Sequence, residues 1–233
     1  MRAAAVERTE ALVHAGRIAK ILTVISFVAF LWGLLYPRPS PLIVGILIAL
    51  PWIAVGAAGR SKGLIRIDQY KKDAHSSVAL AVVLPGLALA QLGMRNIQVL
   101  HWMELLKVAI VMGAVLFLTA IVADAALRTK YATLPLIFIV MLIYGFGAGL
   151  QADIVLDRST PGLYRAKVFS KRISSGRHTY YELTLRPWGP AKYGSTDSVP
   201  HDLYDSIQPG DSVCVALGQG ALGVQWYTVS ECR

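Results

Sequence analysis

Five apolar stretches follow one another with short connections: Arg17 to Tyr36, Pro41 to Gly59, Ser76 to Met94, His101 to Leu127 and Ala132 to Leu150. At 1.5 Å per residue, about 19 residues reach roughly 28 Å, close to the hydrocarbon thickness of a bilayer. No water is present there to satisfy a backbone, so a segment of this length must close its own hydrogen bonds as a helix. Composition points the same way. Of 233 residues, 55% are hydrophobic and 16% charged, with a mean hydropathy of +0.52, whereas a soluble domain carries about a quarter charged residues. The expectation is a membrane α-helical bundle of five transmembrane helices over residues 1–150, a linker over 151–162 and a β domain over 163–233.

The net charge of +9 is unevenly spread. Residues 1–150 hold 14 basic and 6 acidic side chains, and residues 151–233 hold 9 and 8. Lys and Arg in short connections are retained on the cytoplasmic side and set the direction of insertion. Arg2, Arg8, Arg17, Lys20, Arg60, Lys62, Arg66, Lys71, Lys72, Arg128 and Lys130 fall at one end of the spans, and only Arg38 and Arg95 at the other. Eleven against two predicts a cytoplasmic N-terminus and, after five crossings, a C-terminal domain on the far side of the membrane, the periplasmic side if the membrane is a bacterial inner membrane. Glu7 and Glu10, with a full-length span after them, read as a retained anchor rather than a cleaved leader. The segment from Gly63 to Ser76 fits either an amphipathic helix on anionic headgroups or a solvated basic loop.

From about Thr160 the period becomes two, the mark of half-buried strands. Tyr164, Ala166 and Val168 share a face, as do Tyr181, Leu183 and Leu185, with Ser174 to Gly176 as a turn. Val213, Val215 and Leu217 form a third set; Val224, Trp226 and Thr228 read as the face of a fourth strand. This predicts a small antiparallel domain, an OB or SH3-like barrel. Both cysteines, Cys214 and Cys232, lie in it, and an oxidising compartment would allow a bridge between them. Two separate thiols are the other reading.

Few residues suggest chemistry. Ionisable groups in a span are functional candidates by default, so Glu104 and Lys107, three apart, are either an interfacial ion pair or part of a polar path through the bundle. Asp124, four before Arg128, reads as an ion pair. Pro51, Pro85 and Pro135 are either tolerated or free carbonyls for a ligand. Gly145, Gly147 and Gly149 lack the strand and soluble helix of a phosphate loop; Gly145 and Gly149, four apart, fit close helix packing, and Gly86 with Ala90 repeats the pattern more weakly. His14, His75, His101, His178 and His201 show no metal-ligand spacing, and no nucleophile elbow accompanies them. No catalytic, cofactor-binding or metal residue is assigned and no cofactor is expected. Nucleic acid is excluded as a partner because topology accounts for the basic excess. Trp188 and Tyr193, around the Leu185 to Pro190 run, are either a contact for a protein partner or headgroup, or loop packing.

Tyr144 with Gly145 and Gly147, Asp157 with Ser159, Ser174 to Gly176, Tyr180 and Tyr181 with Leu183, Pro187 to Gly189, Gly210 with Asp211, Val213 to Val215, and Gly220 to Gly223 before Trp226 and Tyr227 together form a pattern. It covers about a third of the chain and resembles the tail of a family of Gram-negative multi-pass inner-membrane proteins with a C-terminal β domain. That family has no assigned activity, so the resemblance implies placement alone. Leu185 to Gly189, followed by Gly210, Asp211 and alternating valines, is more loosely similar to NfeD-like membrane proteins with an OB-type domain. This second resemblance implies a scaffold or partner of membrane quality-control proteases and lipid-domain proteins. The function expected is non-enzymatic: presenting the β domain to an envelope partner or to a second copy of the chain. The alternative is a transport or channel component built on the bundle.

Overall fold

The structure is a computed structural model that describes residues 2–36, 40–68, 76–94, 97–175 and 179–232, with side chains from Thr9 onward. Arg38, Lys71, Lys72, His75, Arg95, Gly176 and His178, and the side chains of Arg2, Glu7 and Arg8, lie outside the described residues. Two compact units emerge, Met1–Leu92 with Leu106–Gln151 and Gly93–Leu105 with Ala152–Arg233.

The first unit is helical. Its elements are α1 (Arg2–Leu35), α2 (Pro41–Arg60), a parallel pair of two-residue strands β1 (Ile65–Arg66) and β2 (Ser76–Ser77), and α3 (Ala79–Gly93). After the strand β3 (Gln98–Val99) come α4 (Trp102–Ala123), a 3-10 turn over Ala125–Thr129, and α5 (Leu134–Val155). The four helices α1, α2, α4 and α5 are long and apolar enough to cross a membrane. α3, at 15 residues, is shorter than the span read from Ser76 to Met94. Ser76 and Ser77 pair with β1, and Ser77 Oγ accepts from Ala79 N at 3.1 Å, which starts the helix later.

Two other boundaries move for identifiable reasons. α4 stops at Ala123 because Asp124 Oδ1 accepts from Ala126 N at 3.1 Å and opens the 3-10 turn. Asp124 Oδ2 accepts from Ile67 N at 3.1 Å, while Arg128 Nε donates to Ile121 O, so the expected Asp124–Arg128 pair is replaced by two separate backbone caps. α5 continues to Val155, and the irregular link before the first long strand is correspondingly shorter than 151–162.

Pro85 shows what a proline can do inside α3. It has no N–H to offer Ala81, four residues earlier. Ser26, fully buried on α1, donates to that carbonyl at 3.4 Å, so an intramolecular hydroxyl takes the place considered for a ligand. Tyr144 is the largest fully buried side chain; its hydroxyl accepts from Trp52 Nε1 and donates to Ile48 O, both at 2.8 Å.

Glycines set the spacing of the helices. A Cβ on Gly145 would lie 2.2 Å from Ala109 O, and one on Gly147 2.3 Å from Ala90 N. Real side chains do not tolerate such distances, so α5 meets both α4 and α3 backbone to backbone. Gly86 repeats this, with a Cβ position 3.2 Å from Tyr144 Cα.

The second unit is an antiparallel near-barrel. Its strands are β3, β4 (Gly162–Ser175), β5 (Thr179–Leu185), β6 (Ser195–Val199), β7 (Ser212–Gly218) and β8 (Trp226–Glu231), with a short helix α6 (His201–Ser206). They hydrogen-bond in the order β3-β8-β7-β4-β5-β6. β4 bends at an irregularity between Val168 and Ser170, pairing first with β7 and then with β5. Val168, Leu183, Leu185, Val213, Val215, Leu217 and Tyr227 fill the interior.

The last strand departs from the expected face. Val224 lies before it, Tyr227 points inward, and Trp226 takes the outer face over Gly218. The loop supplies one residue more than the simple alternation assumed, and a shift of one residue exchanges the faces.

Candidate functional site

The outer face of the near-barrel is built by strand alternation. Ala166 and Val168 are buried, and Leu163, Arg165, Lys167 and Phe169 therefore point out, with Leu163 77% and Phe169 62% exposed. Arg186 places its guanidinium 5.7 Å from the Phe169 ring centroid. On the neighbouring strand Cys214 is the register partner of Arg165. Cys214 and Cys232 form a disulfide, with Cα atoms 4.9 Å apart, and so tie the end of β8 to β7 beside this row. The result is a ridge with two cations between two exposed apolar side chains, on a sheet whose neighbouring strands β7 and β8 are covalently tied.

Side chains join the two ends of the sheet. Tyr227 Oη on β8 donates to Asp197 Oδ1 on β6 at 2.7 Å, and Ser195 Oγ donates to Asp197 Oδ2 at 2.8 Å. Burial pushes the Asp197 carboxyl above its ordinary value, against the pull of these two bonds, and burial beside that carboxylate pushes the Tyr227 phenol up.

A second set of carboxylates fastens the glycine-rich β7–β8 loop. Asp153 is fully buried; its Oδ1 accepts from Leu222 N at 2.6 Å and Val224 N at 3.3 Å, and its carbonyl accepts from Ala221 N. Asp157, one helical turn on, accepts from Gly220 N at 2.9 Å and Trp226 Nε1 at 3.1 Å. Gly220 has φ +74°, and a Cβ there would lie 2.2 Å from Asp153 Oδ2, so only glycine fits. Hydrogen bonds from the Ser159 hydroxyl and N–H hold the Asp157 carboxyl below its ordinary value.

These shifts give stability opposite pH dependences. A lowered carboxyl such as Asp157 contributes above about pH 3.8, and that contribution is lost as pH falls through its folded value. With its raised carboxyl, Asp197 makes the fold most stable below about pH 3.8, and stability declines as pH rises toward its folded value. Asp197→Asn, which keeps an acceptor for Tyr227, is expected to abolish that decline as pH rises above about 3.8, whereas Asp157→Asn removes the acid-side loss. Amide hydrogen exchange of β6 and β8 peptides in the full chain reads both; unchanged profiles would contradict the assignment.

Within the helical unit, α3 and α5 enclose a cavity of about 660 Å³. Its wall is apolar, including Val82, Val83, Leu136, Ile137 and Val140, and one end carries Arg66, Asp68 and Lys130. Lys130 Nζ is paired with Asp68. Asp68 Oδ1 is buried and accepts no hydrogen bond among the described residues.

The residues singled out from the sequence fare differently. Trp188 cannot serve as a partner or headgroup contact: it is 4% exposed, its ring 5.0 Å from Tyr227 and 5.9 Å from Tyr164. The tight turn through Gly189 folds the indole inward, which is the packing role. Tyr193 is 84% exposed. Glu104 stands in the first turn of α4, where a carboxylate is favoured by the helix dipole, and Lys107 one turn further; both are exposed, and neither lines the cavity between α3 and α5. His201 opens α6 and meets Asp205 at 3.3 Å. Among the described residues no cluster of His, Cys, Asp or Glu could hold a metal. Asp153, Asp197 and the Asp68–Lys130 pair were not found from sequence, and Asp157 was singled out only with Ser159 in the family resemblance; the one further signal available was two aspartates four apart at the end of an apolar helix.

No family model, curated protein or solved structure matches the chain. Its function therefore has to be read from the geometry.

Proposed function

We propose that the chain is a multi-pass protein of a bacterial inner membrane that binds an envelope protein on the outer face of its β unit and catalyses no reaction. The ridge of Leu163, Arg165, Lys167 and Phe169 carries this reading. Exposed aromatic and aliphatic groups interleaved with cations suit a partner with an apolar strip flanked by carboxylates. The strand order β6-β5-β4-β7-β8, with α6 between β6 and β7, is that of an OB-type barrel, a fold that binds ligands on its strand surface.

Placement rests on separate supports. In this reading α3 also crosses, as the third of five; its 15 residues reach about 22 Å, so the bilayer thins locally or flanking residues complete the span. β3, between α3 and α4, pairs with β8, which requires an even number of crossings between them; α4 and α5 supply two. The basic asymmetry supports a cytoplasmic N-terminal end of α1 and hence, in this reading, a periplasmic sheet, a compartment that suits the Cys214–Cys232 disulfide.

The test is photo-crosslinking in intact membranes from a probe at Phe169, with Asp202 as control position. A discrete adduct is expected from Phe169 alone, weakened about tenfold by Arg165→Glu with Lys167→Glu, since two like charges facing carboxylates cost well over 1 kcal/mol. The same adduct from Asp202, or its survival after charge reversal, would remove the ridge as the binding surface. Protease added to spheroplasts is expected to digest the β unit; digestion only in inverted vesicles would reverse the orientation.

A further inference from the structure

Arg165 and Cys214 face the same side of the sheet. They are register partners on β4 and β7, and the residues beside them in each strand, Ala166, Val213 and Val215, are buried in the interior. Such partners keep their Cβ atoms roughly 4.5–5.5 Å apart. We infer that the Cys214–Cys232 bridge is a redox switch on the ridge. Closed, it leaves Arg165 free for the partner; opened by a dithiol, it releases a Cys214 thiolate that pairs with Arg165 and takes away one of the ridge's two cations. The inference rests on the ridge as binding surface and adds its regulation.

Three observations support it. Access is the first. Cys214 and Cys232 are both partly exposed, and exposed bridges are the ones that exchange readily. Charge is the second. By alternation Ser212, Ala216 and Gly218 share the outer face with Cys214, and Trp226, Thr228 and Ser230 continue it on β8, so these strands put no carboxylate beside the bridge. Glu231 is the register partner of the buried Val213 and takes the inward parity, while Asp211, before β7, turns its carboxylate onto Gln208 N. Arg165 and Lys167 on β4 are exposed and make no ion pair among the described residues. The third is the change that opening brings. Neither sulfur of the bridge carries a charge, whereas a thiol beside an arginine ionises below its ordinary value of about 8.5.

The exchange balances in two displacements. A thiolate of the dithiol bonds to one sulfur of the bridge and expels the other as a thiolate. The dithiol's second thiol, its proton lost to solvent, then attacks the first at the mixed disulfide and expels the remaining cysteine sulfur. Two electrons pass to the chain and the dithiol leaves as a disulfide. Cys232 takes up a proton, and Cys214 stays ionised beside Arg165.

The test uses the full chain in membranes. Dithiothreitol is expected to open the bridge without denaturant, so that iodoacetamide alkylates both cysteines; a bridge that opens only in denaturant would be a structural staple and would overturn the inference. In Cys232→Ser, which leaves Cys214 as a thiol, adding Arg165→Gln should slow alkylation at about pH 7 roughly fivefold. Cys232 in Cys214→Ser is the control and should not respond to Arg165→Gln. No response at Cys214, or an equal one at both thiols, would overturn the pairing. For the ridge, photo-adducts from Phe169 are compared between the unmodified chain and Cys214→Ser with Cys232→Ser, both under dithiothreitol. The double variant lacks the bridge but has no thiolate, so its adduct should exceed that of the reduced chain about threefold, the weight of one exposed charge pair. Equal adducts would mean that opening the bridge takes no cation from the ridge, which sinks the switch. Absence of any Phe169 adduct from the untreated chain would instead defeat the ridge as a binding surface, and the switch with it.

Discussion

Alanine at Gly145 or at Gly147 is expected to destabilise the helical unit by about 3 kcal/mol or more, near the upper end of overpacking penalties. The added methyl at Gly145 would meet Ala109 O and Gly113 N, and at Gly147 the backbone of Leu89 and Ala90. These are main-chain atoms of other helices, which no rotamer change can move aside, so whole helices must separate. Their separation would loosen the contacts around Tyr144 as well. Gly45→Ala provides the matched control, because nothing lies within 4 Å of its Cβ position on α2; there the better helix propensity of alanine should hold or raise stability by up to about 1 kcal/mol. Thermal unfolding of the detergent-solubilised full chain, followed by circular dichroism, separates the cases. Similar midpoints for Gly145→Ala and Gly45→Ala would show that α4 and α5 do not meet at the distance described.

Loss of the disulfide should have an effect of comparable size in the β unit. Cys214 and Cys232 are 18 residues apart, and closing a loop of that length restricts the unfolded chain by about 3 kcal/mol in the chain-entropy account. The bridge ties the end of β8, which otherwise depends on its ladder with β7, the Tyr227–Asp197 bond and the two residues of β3. Cys214→Ser with Cys232→Ser is expected to lower hydrogen-exchange protection in β7 and β8 by about a hundredfold, while the helices keep theirs. Reductant on the unmodified protein should reproduce the change. Protection unaltered in both experiments would mean that the bridge adds nothing the fold does not already secure.

What could be read from sequence followed from periodicity and length. Four of the five apolar stretches correspond to helices long enough to span a bilayer, and the alternation in Tyr164 to Val168, Leu183 to Leu185 and Val213 to Leu217 gave the buried faces correctly. Gly145 was legible as a close-packing position because its spacing reports on helix faces without needing the partner helix. β6 escaped notice: in Ser195–Val199 the inward positions are Asp197 and Val199, and a carboxylate pointing to the core breaks the apolar rhythm. α6 was equally hidden, since a six-residue polar helix offers too few turns for a period. The candidate ridge was missed for a different reason. A strand's outward residues look unremarkable until the neighbouring strand shows what surrounds them. The cavity of α3 and α5 depends on side chains from three separate stretches, and no local pattern joins Arg66 to Lys130.

β3 is two residues long, lies between the apolar helices α3 and α4, and pairs with the strand that follows all the others. A ribosome delivers Gln98 and Val99 well before Tyr227 and Trp226 exist, so that border of the sheet stays open until synthesis is nearly over. Partial chains would accumulate with the stitch undone, and any truncation upstream of Trp226 would leave the edge of β7 bare and prone to mispairing with other strands.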